Sequence, residues 1–340
     1  MTNPAHISKT LTCSCFHFRH LPRAPNALWG VVPPSRAFSR RIPPQRGGKL
    51  SLPTRTSPLA PLGVTAALQA KKDPSIKPRS KIFDEFSLRD RVGLVSGANQ
   101  GLGLEMALAL CEAGARVVYC LDRAAAPAQD WHATREYVER MANGSRLEYV
   151  SCDVTDQQRV WKIGEEIGDK EGRFDIGVAT AGVPSLHINC LDYPHEQLRK
   201  VLDVNTCGAL FTAQAAGRQM TRFNMSGSII LIASMSGSIT NRGHAWVSYN
   251  SSKAAVIQMA RSMACELGDK GIRVNSVSPG HIFTNMSAAE LETRPQLLDI
   301  WSDFNPLRRI GTTDEFRGVI TWLASDASSF CTGSEYAPIT

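Results

Sequence analysis

The feature that most constrains the fold is an alternation of short apolar runs with segments of helical periodicity, which begins near residue 84. Apolar runs that end in small residues indicate buried strands, and the amphipathic segments between them indicate helices. Strands that alternate with helices build a parallel sheet covered on both faces. The strands are predicted at 91–97, 115–122, 147–154, 174–182, 227–234 and 273–280, and the helices at 103–114, 127–144, 156–172, 195–223, 248–268 and 313–325. We therefore expect an α/β fold, with residues 81–340 forming one doubly wound domain.

The first 80 residues differ from this body in charge and in proline content. They hold thirteen Lys and Arg, one acidic residue, and twelve of the nineteen prolines. The remaining residues carry 25 basic and 30 acidic side chains, so a basic leader precedes a mildly acidic body. Prolines break helices, and the leader has too little apolar surface to offset the entropy of ordering. Residues 1–80 are therefore predicted to be a disordered leader.

The leader is rich in arginine, contains serine and is poor in acids, which is typical of an organelle transit peptide. This favours mitochondrial localisation; an untargeted tail on a cytoplasmic protein is the alternative. A nucleic-acid-binding arm is disfavoured because no folded RNA-binding module accompanies the arginines, and no apolar stretch of about 18 residues predicts a membrane span. The nine cysteines are scattered, which indicates reduced, buried thiols, and no metal site is predicted.

A glycine-rich stretch, SGANQGLG at 96–103, follows the first predicted strand and opens the first helix. Glycine at positions 97, 101 and 103 permits positive φ and lets backbone N–H groups approach a pyrophosphate at the helix N-terminus. Such a trio could form a simple tight turn, but its place between a strand and a helix favours dinucleotide binding and a Rossmann-type domain.

Asp122 ends the second predicted strand, 21 residues after Gly101. A carboxylate at this place can accept hydrogen bonds from ribose hydroxyls and would repel a 2′-phosphate, which favours NAD over NADP. The neighbouring Arg123 could pair with that phosphate, so NADP remains possible. Asp153 and Val154 end the third strand, where a carboxylate could approach the adenine or could cap the next helix.

Tyr249 and Lys253 lie four residues apart in SYNSSK, inside a predicted helix. Residues at this spacing share a helix face, so the spacing alone is explained by an ordinary amphipathic helix. Tyrosine is a poor acid near neutral pH, with an ordinary pKa of about 10. The pair by itself therefore assigns no chemistry.

Seven segments together resemble the short-chain dehydrogenase/reductase family in order and spacing: SGANQGLG, CDV, ATAG, DVN, IASMSG, SYNSSK and SPGHIFT. The resemblance extends from about residue 88 to residue 334. It implies an enzyme that uses a nicotinamide dinucleotide to transfer a hydride between a secondary alcohol and a ketone. It also implies a small-molecule substrate, no nucleic-acid or membrane partner, and a homo-oligomer, either a dimer or a tetramer.

The resemblance also implies a role for each polar residue of the motifs. Tyr249 would be the general acid/base, and Lys253 would lower its pKa and bind the nicotinamide ribose. Ser234 would polarise the substrate carbonyl, and Asn205 would shape the helix that holds a proton-relay water. These are the groups that hydride transfer to a carbonyl requires, because negative charge builds on the oxygen and must be protonated.

Cofactor contacts follow from the same resemblance along the carboxyl end of the predicted sheet. SPGHIFT would contact the nicotinamide carboxamide, and residues 285–305 would form a mobile substrate lid. The implied cofactor-binding residues are Gly97, Asn99, Gln100, Gly101, Leu102, Gly103, Asp122, Asp153, Val154, Ala181, Gly182, Asn205, Tyr249, Lys253, Pro279, Gly280, Ile282 and Thr284.

Three departures from the family pattern stand out. Thr180 replaces the usual asparagine of the segment after the fourth strand, and we expect it still to bond backbone. Ser236 competes with Ser234 for the serine role, although Ser234 stands at the strand end, three residues before Gly237. The chain ends in TGSEYAPIT, so the last strand is predicted to be altered or missing.

Within the family, IASMSG and the longer Ser–Tyr spacing resemble fungal polyol dehydrogenases of the D-arabinitol 2-dehydrogenase, mannitol 2-dehydrogenase and sorbose reductase type. This implies a polyol or ketose substrate. Two alternatives stay open: a secondary-metabolite ketoreductase that uses NADPH, and a catalytically silent nucleotide-binding protein.

Overall fold

Buried apolar strands assemble in the centre of the protein into a parallel sheet with the order β3-β2-β1-β4-β5-β6-β7. The computed structural model describes residues 59–337. Within this range the strands are β1 Val92–Ser96, β2 Val117–Asp122, β3 Arg146–Ser151, β4 Ile176–Ala179, β5 Gly227–Ile232, β6 Ile272–Val277 and β7 Glu335–Tyr336. The predicted doubly wound α/β fold is confirmed for these residues.

Helices connect successive strands. In the described range they are α1 Gly63–Lys72, α2 Gly101–Glu112, α3 Gln129–Arg140, α4 Gln157–Glu171, α5 His195–Leu202, α6 Gly208–Arg222, α7 Val247–Leu267, α8 Asn285–Thr293, α9 Leu297–Phe304 and α10 Arg317–Ala324. Because strand side chains alternate between faces, the sheet has two cores. In β5, Ile229 and Leu231 pack on the face that α4, α6 and α7 cover, whereas Ile230 packs on the face of α2, α3 and α10.

The structure corrects the sequence prediction at two helices. Residues 63–72 form the exposed helix α1, within the leader that was predicted to be disordered; residues 1–58 of that leader lie outside the described range. The single helix predicted over 195–223 is interrupted by a π-helical turn, Asp203–Cys207, which separates α5 from α6. π-Turns occur often at functional sites, and this one contains Asn205.

The final strand is altered rather than missing. β7 has two residues, and it pairs parallel to β6 through Ser276–Glu335 and Val277–Tyr336. The Glu335 carboxylate accepts hydrogen bonds from Ser278 Oγ at 2.8 Å and from Ser238 Oγ at 2.5 Å. The short strand therefore ties the loop after β5 to the loop after β6.

Two further observations concern the whole described range. Its cysteines are free thiols: Cys111, Cys120 and Cys152 are buried as expected, whereas Cys190 and Cys265 are exposed. None of its helices has the length and apolar character needed to cross a membrane.

Candidate active site

The predicted site residues collect along one edge of the sheet, at the carboxyl ends of the parallel strands. Residues that follow or end six strands meet there: Gly97 after β1, Asp122 in β2, Asp153 after β3, Ala181 after β4, Ser234 after β5 and Pro279 after β6. The strand order reverses between β1 and β4, and ligands of open α/β sheets bind at such a switch point.

The glycine-rich turn is closely packed, and its geometry explains why glycine stands there. Gly97 has φ +68°, and a Cβ on it would lie 2.7 Å from Ala181 Cα. A Cβ on Gly103 would lie 2.3 Å from the Gly97 carbonyl oxygen. Gly101 has φ +58° and open space around it, which leaves the N-terminus of α2 accessible to a phosphate. Gln100 precedes α2 and accepts a hydrogen bond from Asn285 Nδ2 at 3.0 Å, and Leu102 packs against the core.

The acidic end of β2 is held by backbone amides. The Asp122 carboxylate accepts hydrogen bonds from Asn99 N–H at 3.4 Å and Ala124 N–H at 3.3 Å. The Asn99 side-chain oxygen in turn accepts from Ala128 N–H at 2.7 Å, so the glycine turn and the loop after β2 are joined. Arg123 is exposed and makes no ion pair with any residue of 59–337. This places the carboxylate, rather than the guanidinium, against the nucleotide turn.

The two predicted residues after β3, Asp153 and Val154, differ in burial and in their contacts. Asp153 is exposed, and its Oδ1 accepts hydrogen bonds from Thr155 N–H and Oγ1 at 2.9 and 2.8 Å. The cap of α4 is Asp156, which accepts from Arg159 N–H at 3.0 Å. Val154 is buried, and a Cβ on Gly208 would come within 2.6 Å of its side chain. Asp153 therefore does not cap the helix itself.

Ser234, Tyr249 and Lys253 lie together beyond the end of β5. The Ser234 hydroxyl is close enough to Tyr249 to lower the pKa of its phenol, and it accepts a hydrogen bond from Ser236 N–H at 3.2 Å. The Lys253 ammonium lies 5.7 Å from the centre of the Tyr249 ring. Of the two competing serines, Ser234 is therefore the one that meets the tyrosine.

The Lys253 ammonium is buried, with 4% of the residue exposed. Its Nζ donates to the Ile232 carbonyl at 2.9 Å, which leaves further N–H donors on the same atom. Burial lowers the pKa of Lys253 to about 8. A Cβ on Gly182 would lie 3.6 Å from Nζ, so glycine at this position keeps space open beside the ammonium.

The pKa of Tyr249 differs from the sequence prediction. Burial raises it above the ordinary tyrosine value, and the hydrogen bond with Ser234 opposes that rise without cancelling it. In the protein without ligands, desolvation of the phenolate therefore outweighs any lowering of this pKa by Lys253.

Asn205 bridges two segments from within the π-helical turn. Its Oδ1 accepts from Val183 N–H at 2.8 Å, and its Nδ2 donates to the Val183 carbonyl and the Ser252 hydroxyl, each at 3.1 Å. The side chain is thus fully used in joining the loop after β4 to α7, next to Lys253. We expected the Thr180 side chain to form a hydrogen bond with the backbone. In residues 59–337 its hydroxyl instead lies 3.8 Å from Met106 Sδ.

The loop after β6 approaches the glycine turn. The Pro279 carbonyl accepts from Met235 N–H at 2.9 Å, Gly280 continues the turn, and Ile282 is buried beside Gly311. The Thr284 hydroxyl caps α8 by accepting from Ser287 N–H at 3.3 Å, a role that the sequence did not predict. A cavity of about 310 Å³ is lined by both Gly101 and Thr284 together with residues of α2 and α3, so the glycine turn and the loop after β6 approach each other there.

Sequence reasoning missed a cluster of three hydroxyls next to the start of α7, the helix that carries Tyr249 and Lys253. Ser185 Oγ lies 2.8 Å from Ser248 Oγ and 3.0 Å from the Tyr193 hydroxyl, and Ser248 Oγ donates to the same hydroxyl at 2.8 Å. Ser248 precedes Tyr249 directly and is fully buried. Only the position of Ser248 beside the motif could have pointed to it.

Sequence reasoning also missed the groups that join residues 285–305 to the site. This segment, predicted to be the lid and called so below, contains α8 and α9, and its Glu290 lies 3.1 Å from His187 Nε2 and forms an ion pair with Arg294. Trp246 Nε1 donates to the same His187 nitrogen at 3.0 Å. The Trp246 ring stands 6.4 Å from the Tyr249 ring, so these groups border the predicted acid/base residue.

Aromatic rings form two stacked pairs on this side of the site. His244 stacks on Trp246 with centroids 4.0 Å apart, and His281 stacks on Trp301 at 4.2 Å. Burial, with a smaller effect of His244, lowers the pKa of His281 to about 4, and burial also lowers the pKa of His244. His281 is therefore neutral at physiological pH.

A parallel sheet with a glycine-built phosphate turn, next to a hydrogen-bonded serine, a tyrosine and a buried lysine, defines a class of nucleotide-dependent oxidoreductases. A family model described as "Enoyl-(Acyl carrier protein) reductase" matches residues 97–337. A relative from Aspergillus versicolor described as short chain dehydrogenases/reductase notP′ is 37% identical over 79% of this chain and 91% of its own. The chain belongs to the short-chain dehydrogenase/reductase family and is an oxidoreductase that acts on CH–OH groups.

Other relatives carry substrate names. The sorbose reductase sou1 of Schizosaccharomyces pombe is 36% identical, with 74% of this chain and 94% of that protein covered. A ribulose-forming D-arabinitol 2-dehydrogenase of Candida tropicalis is 32% identical over 74% of this chain and 92% of its own.

Two solved structures show the fold with known cofactors. An NAD⁺-bound xylitol dehydrogenase has a TM-score of 0.66, 29% identity, and coverage of 74% of this chain and 98% of its own. The NADPH-dependent 3-quinuclidinone reductase of Rhodotorula rubra has a TM-score of 0.66, 31% identity, and coverage of 78% and 96%.

Proposed function

We propose that this enzyme interconverts a polyol and the corresponding ketose, with NAD as the preferred cofactor. The observation that carries the proposal is the grouping at the end of β5, in which the Ser234 hydroxyl lies close enough to Tyr249 to lower its pKa and the buried Lys253 ammonium lies 5.7 Å from the centre of the phenol ring. Relatives described as sorbose reductase and D-arabinitol 2-dehydrogenase support a polyhydroxylated substrate.

Each catalytic side chain acts at the oxygen of the reacting carbon. The nicotinamide, when bound, accepts the hydride from the alcohol carbon or returns it to the ketone. Ser234 donates a hydrogen bond to that oxygen, and Tyr249 removes its proton in oxidation or supplies one in reduction. The Lys253 charge favours the phenolate form of Tyr249, and Asn205 holds the turn beside it.

The chain offers a fitting cradle for a dinucleotide. The N-terminus of α2, opened by Gly101, would hold the pyrophosphate, and Asp122 would accept hydrogen bonds from the adenosine ribose. Asp153 and Val154 would border the adenine. The remaining contacts are assigned to Ala181, Gly182, Lys253, Pro279, Gly280, Ile282 and Thr284. NAD is favoured because the Asp122 carboxylate, and not Arg123, faces the glycine turn.

A second candidate is the reduction of a cyclic ketone with NADPH. The two stacked pairs, His244–Trp246 and His281–Trp301, support it because flat aromatic walls suit a rigid apolar substrate. A relative described as a 3-quinuclidinone reductase supports it further. The charged Glu290–Arg294 pair near the same wall favours the polyol instead.

A screen of the full chain with NAD and NADP, followed by the absorbance of reduced nicotinamide, tests the proposal. Oxidation of arabinitol, sorbitol or xylitol with NAD is the expected result. Turnover of a bicyclic ketone with NADPH alone would favour the second candidate. Binding of NAD without turnover of any alcohol or ketone would point to a silent binder.

Tyr249→Phe provides the matched control for this screen. We expect it to remove most turnover while NAD binding changes little, because the phenyl ring keeps the packing and loses only the proton-transferring hydroxyl. Turnover that survives in this variant would take the acid/base role away from Tyr249.

Assembly and localisation complete the proposal. An open groove of about 740 Å³ between α4, α6 and the end of α7 offers a second copy a place to pack, which supports a homo-oligomer. Light scattering should give a dimer or a tetramer; a monomer would exclude both.

The basic, acid-poor composition of residues 1–80 supports mitochondrial import, and a reporter fused to them should enter that organelle rather than stay cytosolic.

A further inference from the structure

Three metal-ligating side chains converge at the mouth of the site, and the proposed reaction uses none of them. His187 comes from the loop after β4, His244 from the loop after β5, and Glu290 from α8 of the lid. One ligand atom of each lies within 4.8 Å of the corresponding atoms of the other two. Because they come from separate segments, a single ion bound to all three would link the lid to both loops.

The geometry suits a tetrahedral ion of the zinc class. His187 Nε2 and Glu290 Oε1 are 3.1 Å apart. Two ligands at about 2.1 Å from one tetrahedral zinc ion stand roughly 3.4 Å from each other, so this pair needs little movement. Two imidazoles with one carboxylate favour zinc or a related transition metal over magnesium or calcium, which prefer oxygen ligands alone.

One ring nitrogen of His244 lacks a hydrogen-bond partner. Its Nδ1 is buried and has no hydrogen-bond partner in residues 59–337. A buried imidazole nitrogen without a partner loses free energy, which a metal bond at the ring would recover. Its ring is held in place by stacking on Trp246.

A cation already occupies the space between the other two ligands. The Arg294 guanidinium contacts His187 Nε2 and forms an ion pair with Glu290. The His187 nitrogen also accepts from Trp246 Nε1, so it carries no proton, and its one lone pair would turn from Trp246 to a bound metal. The three side chains therefore surround a place that is suited to positive charge.

We propose that His187, His244 and Glu290 bind a divalent transition-metal ion of the zinc class, which displaces the Arg294 guanidinium and fastens the lid to the two loops. The fastened lid slows turnover, because substrate and product must pass it. Metal binding at this place does not depend on which alcohol the enzyme oxidises.

Zinc titrations of the full chain, followed by calorimetry, test the assignment of the ligands. His244→Ala and the isosteric Glu290→Gln should each weaken binding at least about tenfold, the lower limit seen even for residues one shell further from a metal. His132→Ala, an exposed histidine of α3, is the matched control and should bind zinc as the parent does. Equal affinity in the parent and both ligand variants would overturn the proposal and assign the zinc to another part of the chain.

Arg294→Met separates this proposal from an ordinary lid contact. Removing the competing cation should raise the zinc affinity several-fold, whereas a merely structural arginine would leave it unchanged or lower it. In the parent protein, zinc should reduce turnover and a chelator should restore it, and Glu290→Gln should be less sensitive. An unchanged or weaker affinity in Arg294→Met would refute the displacement.

Discussion

Replacing the buried lysine by an apolar residue of similar length, Lys253→Met, isolates the effect of its charge on Tyr249. The ammonium lies 5.7 Å from the centre of the phenol ring. Taking that distance for the phenolate, with an effective dielectric constant of about 20, gives an attraction of about 3 kcal/mol. This corresponds to about two pKa units. The charge is present at pH 7, because the pKa of Lys253 is about 8.

Without this charge, the apparent pKa of Tyr249 in alcohol oxidation should rise by about two units, and turnover at pH 7 should fall about 100-fold. The assay is the pH dependence of kcat for NAD-linked oxidation, measured for the parent and the variant. Lys270→Met, which removes an exposed charge outside the site, is the matched control and should reproduce the parent profile. A Lys253→Met profile that is lower but not displaced along the pH axis would refute the electrostatic reasoning.

Loss of folding does not explain the expected result. A buried ammonium whose pKa is depressed destabilises the folded protein at neutral pH, because the unfolded chain binds the proton more tightly. Lys253→Met should therefore unfold at an equal or higher temperature at pH 7. The difference should shrink as the pH rises from about 8 toward the ordinary lysine value.

Three further changes have expected outcomes of their own. Ser234→Ala should lower kcat by about 10²- to 10³-fold, the usual cost of losing one oxyanion donor, whereas Ser236→Ala should change it only slightly; equal losses in steady-state assays would contradict the assignment. Asp122→Ala should weaken NAD binding and shift the kcat/KM ratio toward NADP, and an unmoved ratio would exclude the ribose contact. Glu335→Ala removes the acceptor of two serine hydroxyls and should lower the free energy of unfolding by about 2 kcal/mol in urea titrations, with no change expected if β7 is dispensable.

Local patterns predicted the elements and much of the site. Hydrophobic periodicity depends on near neighbours in the chain, so the six long strands and the fold class could be predicted from it. The need for glycine at position 97 was predictable too, because positive φ in a strand–turn–helix unit is a local property. Parallel strands run in the same direction, so their carboxyl ends lie at one edge of the sheet. This explains why Asp122 and Ser234, which are far apart in the sequence, share that edge.

Local patterns did not predict where a helix is interrupted, or which of two hydrogen-bond partners a side chain takes. The π-turn around Asn205 keeps the helical apolar pattern on both sides, so periodicity reads α5 and α6 as one helix. The hydroxyl of Thr284 could bind either a cofactor or its own helix, and in the structure it accepts a hydrogen bond from Ser287 N–H. The raised pKa of Tyr249 follows from burial, which depends on packing that no single segment determines.

The sequence by itself determined the α/β architecture, the glycine-rich turn and the order of the motifs that hold Ser234, Tyr249 and Lys253, because each depends on local periodicity or on motif order along the chain. Only the tertiary structure decided which groups border these three residues. His187, His244 and Glu290 lie far apart in sequence and share no motif, yet the loops after β4 and β5 and the lid bring them together. The physical reason is that a parallel sheet collects its loops at one edge, while packing of the lid selects which side chains meet there.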